Sequence, residues 1–209
     1  LPEAVRISDF GLLSALGLRI SAISCLAFHQ LDCILDPSSA SGIELDGRGD
    51  SIKRETKKFM ALNNTPDLTK QPPRSPRVRL GGYVVLPRML DKGRATIARK
   101  NGEYHYNCPL DQRFLNFVGI APEALKKQLS AGKSDGEILE WIQKNAKNKK
   151  TEPEVLTWSA WQEHRAPSDT ESREYFHGLH SKIAPKREDI ATWFDLLDVD
   201  DYVSYGGKA

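Results

Sequence analysis

The sequence predicts an all-α domain, and three observations carry that reading. Apolar residues recur at helical spacing from about Gly82 to Asp198, most clearly in Ile190, Trp193, Phe194 and Leu197 at i, i+3, i+4 and i+7. Helix starts are chemically marked. Ser134-Asp135-Gly136-Glu137 and Ser168-Asp169-Thr170-Glu171 fit capping boxes, and Pro87, Pro109 and Pro122 suit first turns, where a missing N–H costs nothing. No stretch sustains the alternation of a strand. The architecture that follows is a small helical bundle of four principal helices and short connecting ones. An extended Pro/Arg-rich arm and a poorly ordered N-terminal extension precede it.

The first 59 residues differ from the rest. Phe10 to Leu35 is largely apolar, but Arg19, His29 and Asp32 interrupt it before any run reaches a membrane span. Glu3 and Asp9 offset Arg6, which is wrong for a signal peptide, and Ser24-Cys25 makes a poor lipoprotein cleavage site. From Asp36 to Lys58 the residues are small, polar and charged, the composition of a disordered linker. The first methionine is Met60, so residues 1–59 are read as an upstream extension outside the native product. The competing expectation is an amphipathic helix, with Leu12, Leu16 and Ile20 on one face, docked on the main domain.

Residues 60–80 form the arm. Pro66, Pro72, Pro73 and Pro76 alternate with Lys70, Arg74, Arg77 and Arg79, a spacing that forbids a helix and favours an extended chain. Such an arm can meet phosphate, but it holds no aromatic residue to stack on a base, so a strap across the domain is preferred to a nucleic-acid arm.

The helical domain, 81–209, begins after Gly81-Gly82. Leu86, Leu90 and Ile97 share a face with Gly93, where a neighbouring helix could approach closely. Arg88, Asp91, Lys92 and Arg94 occupy the other faces, read as a solvated surface with local ion pairs. The richest stretch runs from Tyr104 to Ile120. Tyr104-His105-Tyr106 leads into Cys108-Pro109, a helix start, and Leu110, Phe114, Phe117 and Val118 follow at helical spacing. A cysteine at that N-cap faces the positive end of the helix dipole, which favours a thiolate nucleophile with His105 as its base. The alternative is an inert, buried cysteine. Asp111 suits a first turn. Pro122, with Leu125 and Leu129, then Ile138, Trp141 and Ile142, then Thr151-Glu152-Pro153-Glu154 before Val155, Trp158 and Trp161, then Phe176, Leu179 and Ile183 define the later helices.

The order of three separated motifs resembles a known family. Leu80-Gly-Gly-Tyr-Val-Val-Leu-Pro-Arg-Met-Leu-Asp-Lys-Gly-Arg-Ala95, then Gly102-Glu-Tyr-His-Tyr-Asn-Cys-Pro-Leu-Asp-Gln-Arg-Phe114, then Trp193-Phe-Asp-Leu-Leu-Asp-Val-Asp-Asp201 is similar to the bacterial domain-of-unknown-function family 5069 over Asp67 to Ala209. The resemblance implies a small cytosolic helical domain and brings no established reaction, so no catalytic residue is carried over.

Composition excludes little. The chain is 39% hydrophobic and 28% charged with a formal net charge of +2, so no global field calls for nucleic acid or an anionic membrane. Cys25, Cys33 and Cys108 match no disulfide, zinc or redox spacing, which points to the reducing cytoplasm. There is no phosphate loop, serine elbow or dinucleotide fingerprint, and no cofactor is named by the residues.

Asp195, Asp198, Asp200 and Asp201 are read as a cluster at the C-terminal end of a helix, where they oppose its dipole and call for pairing with Arg88, Lys92 and Arg94 or for a cation. His177 and His180, with His164 or Glu163, make a weaker metal-enzyme reading. Two hypotheses go forward. The first is a non-enzymatic binding or adaptor module that meets a protein partner or a small anionic ligand through Arg88, Asp91, Arg94, Tyr104, Tyr106, Asp111, Asp195 and Asp198. The second is a thiol enzyme built on Cys108 and His105. Whether Cys108 is accessible separates them.

Overall fold

The computed structural model describes residues 65–209. Readings made above on residues 1–64, including the Met60 start and the docked helix of Leu12, Leu16 and Ile20, lie outside the described residues. Seven helices follow one another: α1 Leu86–Ile97, α2 Pro109–Val118, α3 Pro122–Ser130, α4 Asp135–Asn145, α5 Glu152–His164, α6 Thr170–Ile183 and α7 Trp193–Ser204. The described residues contain no strand, only an isolated bridge between Leu80 and Tyr83, and the all-α reading stands. No helix among them is long and apolar enough to cross a membrane.

Most helix starts are set by the residues that mark them. Ser134 caps α4 by accepting from the Glu137 N–H while Glu137 returns to the Ser134 N–H at 2.8 Å. Glu154 does the same for Thr151 at the head of α5. At α6 the cap is Asp169 rather than Ser168, one residue later than the capping box read above. Its carboxylate accepts from Ser172 at 2.8 Å and Ser172 Oγ closes the box. An ionised oxygen is the stronger acceptor for an N-terminal N–H, which decides between the two candidates.

Helix α1 starts differently. Its N-cap Val85 has φ 69° and ψ −36°, a conformation rarely open to a β-branched residue. Leu86 N donates to Val84 O at 2.8 Å, which closes a γ-turn, and Val85 N donates to Pro76 O at 2.8 Å. The turn is held on one side by the arm and on the other by a fully buried Val85 side chain.

Helix α1 packs on α2 and α3, while α7 packs on α5 and α6. The larger apolar cluster joins Leu86, Met89 and Leu90 to Phe114, Leu125, Leu129, Ile138 and Ile142. The second joins Val84 and Val85 to Phe176, Phe194, Leu196 and Leu197. At Gly93 a side chain of α3 lies against α1: a Cβ there would lie 2.5 Å from Leu129 Cδ1 and 3.2 Å from Tyr106 Cδ2. The arm lies along the helices, and Leu68, Ala95, Tyr104 and Tyr205 close the far end.

Candidate functional site

The charged face assigned to solvent on α1 is inside the protein. Arg88 and Lys92 are 1% exposed and Asp91 is 7% exposed. Arm, α2 and α7 cover that face, so its charges pair across the fold rather than along the helix. This corrects the solvated-surface reading, and the reason is topological: helical periodicity shows a helix's apolar stripe but not how many neighbours surround it.

Two ion clusters result. In the first, Arg88 makes a two-pronged contact with Asp201 at 2.6 and 3.2 Å, and the Tyr104 hydroxyl donates to Asp201 at 2.7 Å. Arg88 also donates to Arg74 O at 3.2 Å, and its guanidinium lies 5.5 Å from the Tyr104 ring centroid. Burial acts to lower the Arg88 pKa, but Asp201 outweighs it and holds the group above its ordinary value. Burial, with Asp201 beside it, pushes the Tyr104 phenol up.

In the second cluster Lys92 Nζ stands 2.8 Å from Asp111 Oδ1 and donates to Cys108 Sγ at 3.1 Å. Asp111 is fully buried and its other oxygen accepts from the Asn107 N–H at 3.0 Å. Asn107 takes the left-handed conformation, φ 66°, that presents this N–H to the turn below. Burial works against the Lys92 ammonium, yet Asp111 and then Cys108 raise its pKa. Cys108 is the N-cap of α2 and Pro109 its first residue. The cysteine is 7% exposed, and His105 is exposed. The cation within hydrogen-bond distance of the sulfur is Lys92.

The remaining candidates form the outer ring of the same network. Arg74 of the arm grips Asp91 through Nε at 2.8 Å and Nη2 at 2.7 Å and reaches Asp135 at 2.7 Å. Arg94 meets Asp135 at 2.7 Å and Lys133 O at 3.1 Å. Burial acts to raise the Asp135 carboxyl, but hydrogen bonds from Arg74 and Arg94 outweigh it and hold the group below the usual carboxylate range. Arg77 bridges Asp195 and Asp198, and Arg79 pairs with Glu163 at 2.8 Å. Tyr106 lies apart from the ion clusters and donates to Pro122 O at 2.8 Å.

The acidic cluster is not gathered at one helix end. Because α7 runs from Trp193 to Ser204, Asp195 is its third residue and accepts from the Thr192 N–H at 2.8 Å, where the dipole favours it. Of the cations named for pairing, Arg88 reaches Asp201, while Lys92 goes to Asp111 and Arg94 to Asp135. Arg77 of the arm pairs with Asp195 and Asp198. His177 contacts Ser181 at 3.4 Å, His180 contacts Arg187 O at 2.7 Å, and His164 contacts Ala160 O at 2.8 Å. Among the described residues no three His, Cys, Asp or Glu side chains converge as metal donors.

The structure brings forward residues that sequence reasoning did not place among the site candidates. Lys92 joins the site as the partner of Cys108. Arg113 on α2 and Arg165, the C-cap of α5, are half-buried and have no carboxylate partner among the described residues. A family model described as Domain of unknown function (DUF5069) matches residues 70–203, slightly inside the span read from the motifs. Comparison with curated proteins gives no match.

Proposed function

The chain belongs to the DUF5069 family, and from that premise we propose that the domain is a non-enzymatic binding or adaptor module of the bacterial cytoplasm, serving a protein partner or a small anionic ligand. One observation supports this reading above the others. The groups best suited to chemistry, Cys108, Lys92, Asp111, Tyr104 and Asp201, are buried and spent on one another. A nucleophile must reach a substrate, and 7% exposure gives the Cys108 thiol little access. The cytoplasmic assignment follows from cysteine spacings that match no disulfide framework.

The second reading, a thiol enzyme with Cys108 as nucleophile and His105 as base, has one observation in its favour. The Lys92 ammonium beside the sulfur would stabilise negative charge forming there. Alkylation by iodoacetamide decides between them, with Cys25 and Cys33 replaced by serine. The binding reading expects slow labelling of Cys108 that becomes fast only on unfolding. Rapid labelling of the folded protein at neutral pH would move the enzyme reading to the front.

A further inference from the structure

Cys108 is buried beside an amine. Its Sγ accepts a hydrogen bond from Lys92 Nζ at 3.1 Å, and the two residues are 7% and 1% exposed. Lys92 lies in the middle of α1, and Cys108 is the N-cap of α2, where its carbonyl accepts from the Gln112 N–H at 2.9 Å. Packed helices therefore hold nitrogen and sulfur at the separation of a near-attack pair, about 3–3.5 Å.

The common fates of an oxidised cysteine are closed to this one within the described residues. A sulfenic acid condenses with a second thiol or with a neighbouring backbone nitrogen. Cys108 is the only cysteine among the described residues, and the backbone nitrogen after it belongs to Pro109, which carries no hydrogen to give up. The Lys92 amine is in reach instead. Asp111 is fully buried and places Oδ1 2.8 Å from Nζ, outside hydrogen-bond geometry and with no other donor. That oxygen is open to take a proton from the ammonium.

We propose that Cys108 and Lys92 form a peroxide-driven modification site that closes to a sulfenamide bond between Sγ and Nζ. Hydrogen peroxide is small enough to use the little access the sulfur has. In the first step its O–O bond breaks and an S–O bond forms, so the Cys108 S–H becomes S–OH and water is released. Sulfur is oxidised, peroxide is reduced, and the Lys92 ammonium stabilises negative charge on the attacking sulfur. In the second step Nζ passes one proton to Asp111, and the electron pair so freed attacks Sγ. The S–N bond forms as the S–O bond breaks. A second Nζ proton leaves with the hydroxyl as water, and the last hydrogen stays on nitrogen. This condensation needs no further oxidant, and it replaces a buried ion pair by a neutral link beside a neutral acid. The bond ties the middle of α1 to the start of α2, and a thiol reductant undoes it by attacking the sulfur and returning the amine.

The test treats the full chain with a small excess of hydrogen peroxide at neutral pH and maps its tryptic peptides by mass spectrometry, with and without dithiothreitol. The expected product joins residues 89–94, which contain Lys92, to residues 101–113, which contain Cys108. It is lighter than the two free peptides by two hydrogen atoms and separates on reduction. Lys92→Met, which has no amine, is expected to give Cys108 sulfinic acid instead. Sulfinic or sulfonic acid at Cys108 in the unaltered chain, with Lys92 unmodified, would overturn the proposal. So would an unoxidised Cys108, a disulfide from Cys108 to Cys25 or Cys33, or a linked pair that retains the oxygen. If Lys92→Met does not fold, the map of the unaltered chain decides alone. The outcome is separate from the binding reading, because iodoacetamide labelling measures entry of a bulkier reagent and the peptide map measures which group lies against the sulfur.

Discussion

Asp201→Asn isolates the cost of an uncompensated interior charge. The substitution keeps the side chain's shape and an acceptor for Tyr104 but removes the charge opposite Arg88, whose side chain is 1% exposed. Arg88 retains Arg74 O at 3.2 Å and the more distant Asp198, so part of its charge stays compensated. Breaking one side of a buried pair costs about 3–5 kcal/mol. For a domain of this size each kcal/mol lowers Tm by about 2–4 °C, so a fall of about 6–20 °C is expected. Urea unfolding followed by circular dichroism measures the loss, with an unchanged m-value showing that the native state is otherwise intact. Tyr104→Phe serves as the calibration, since it removes one hydrogen bond and no charge and costs about 1 kcal/mol. A loss below about 1 kcal/mol for Asp201→Asn would refute the reasoning, because water would then be compensating Arg88.

Two further outcomes follow from the same geometry. Gly93→Ala gains helix propensity of about 1 kcal/mol but forces a methyl against Leu129 and Tyr106, so a net destabilisation of about 1–2 kcal/mol is expected by urea unfolding; a more stable variant would show that α3 can give way. Asp135 and Asp198 respond to pH with opposite signs. Arg74 and Arg94 hold the Asp135 pKa below its unfolded value, so its contribution is present above about pH 4 and is lost as pH falls through the depressed value. Burial raises Asp198 despite Arg77, so protonation there favours the folded state, and that contribution is lost as pH rises through the raised value. Asp135→Asn therefore destabilises by about 1–3 kcal/mol at pH 7 and flattens the acid limb, while Asp198→Asn is neutral or stabilising at pH 7. Thermal melts of both variants between pH 3 and 7 check the contrast, and equal losses at pH 7 would contradict it.

Helices were legible wherever one residue's chemistry marks a boundary. The glutamates returning to Ser134 and Thr151 and the prolines heading α2 and α3 act locally, so their spacing suffices. Asp169 displaced Ser168 because two adjacent side chains competed for one cap. The extent of α7 was misjudged because acids and apolar residues continue through it without a stop signal, and Asp195 moved from a supposed C-terminal end to the first turn. The candidate site was legible as a set of residues but not as a set of pairs. Arg88 and Lys92 look like surface residues until α2, α7 and the arm close over them. Arg113 and Arg165 gave no signal at all, since what distinguishes them is the lack of a carboxylate partner among the described residues.

The pairing of Arg88 with Asp201 spans 113 positions, and Tyr205 donates to Leu68 O across 137. During synthesis the cation of α1 emerges long before the anion that neutralises it. At about 5–20 residues per second the nascent chain waits about 6–23 s for that partner. Helices α1 to α4 can begin their apolar packing in that interval, but Arg88 must remain hydrated until α7 arrives. Closure over it is therefore tied to the emergence of α7, and a polypeptide cut short before residue 201 would keep α1 open to water.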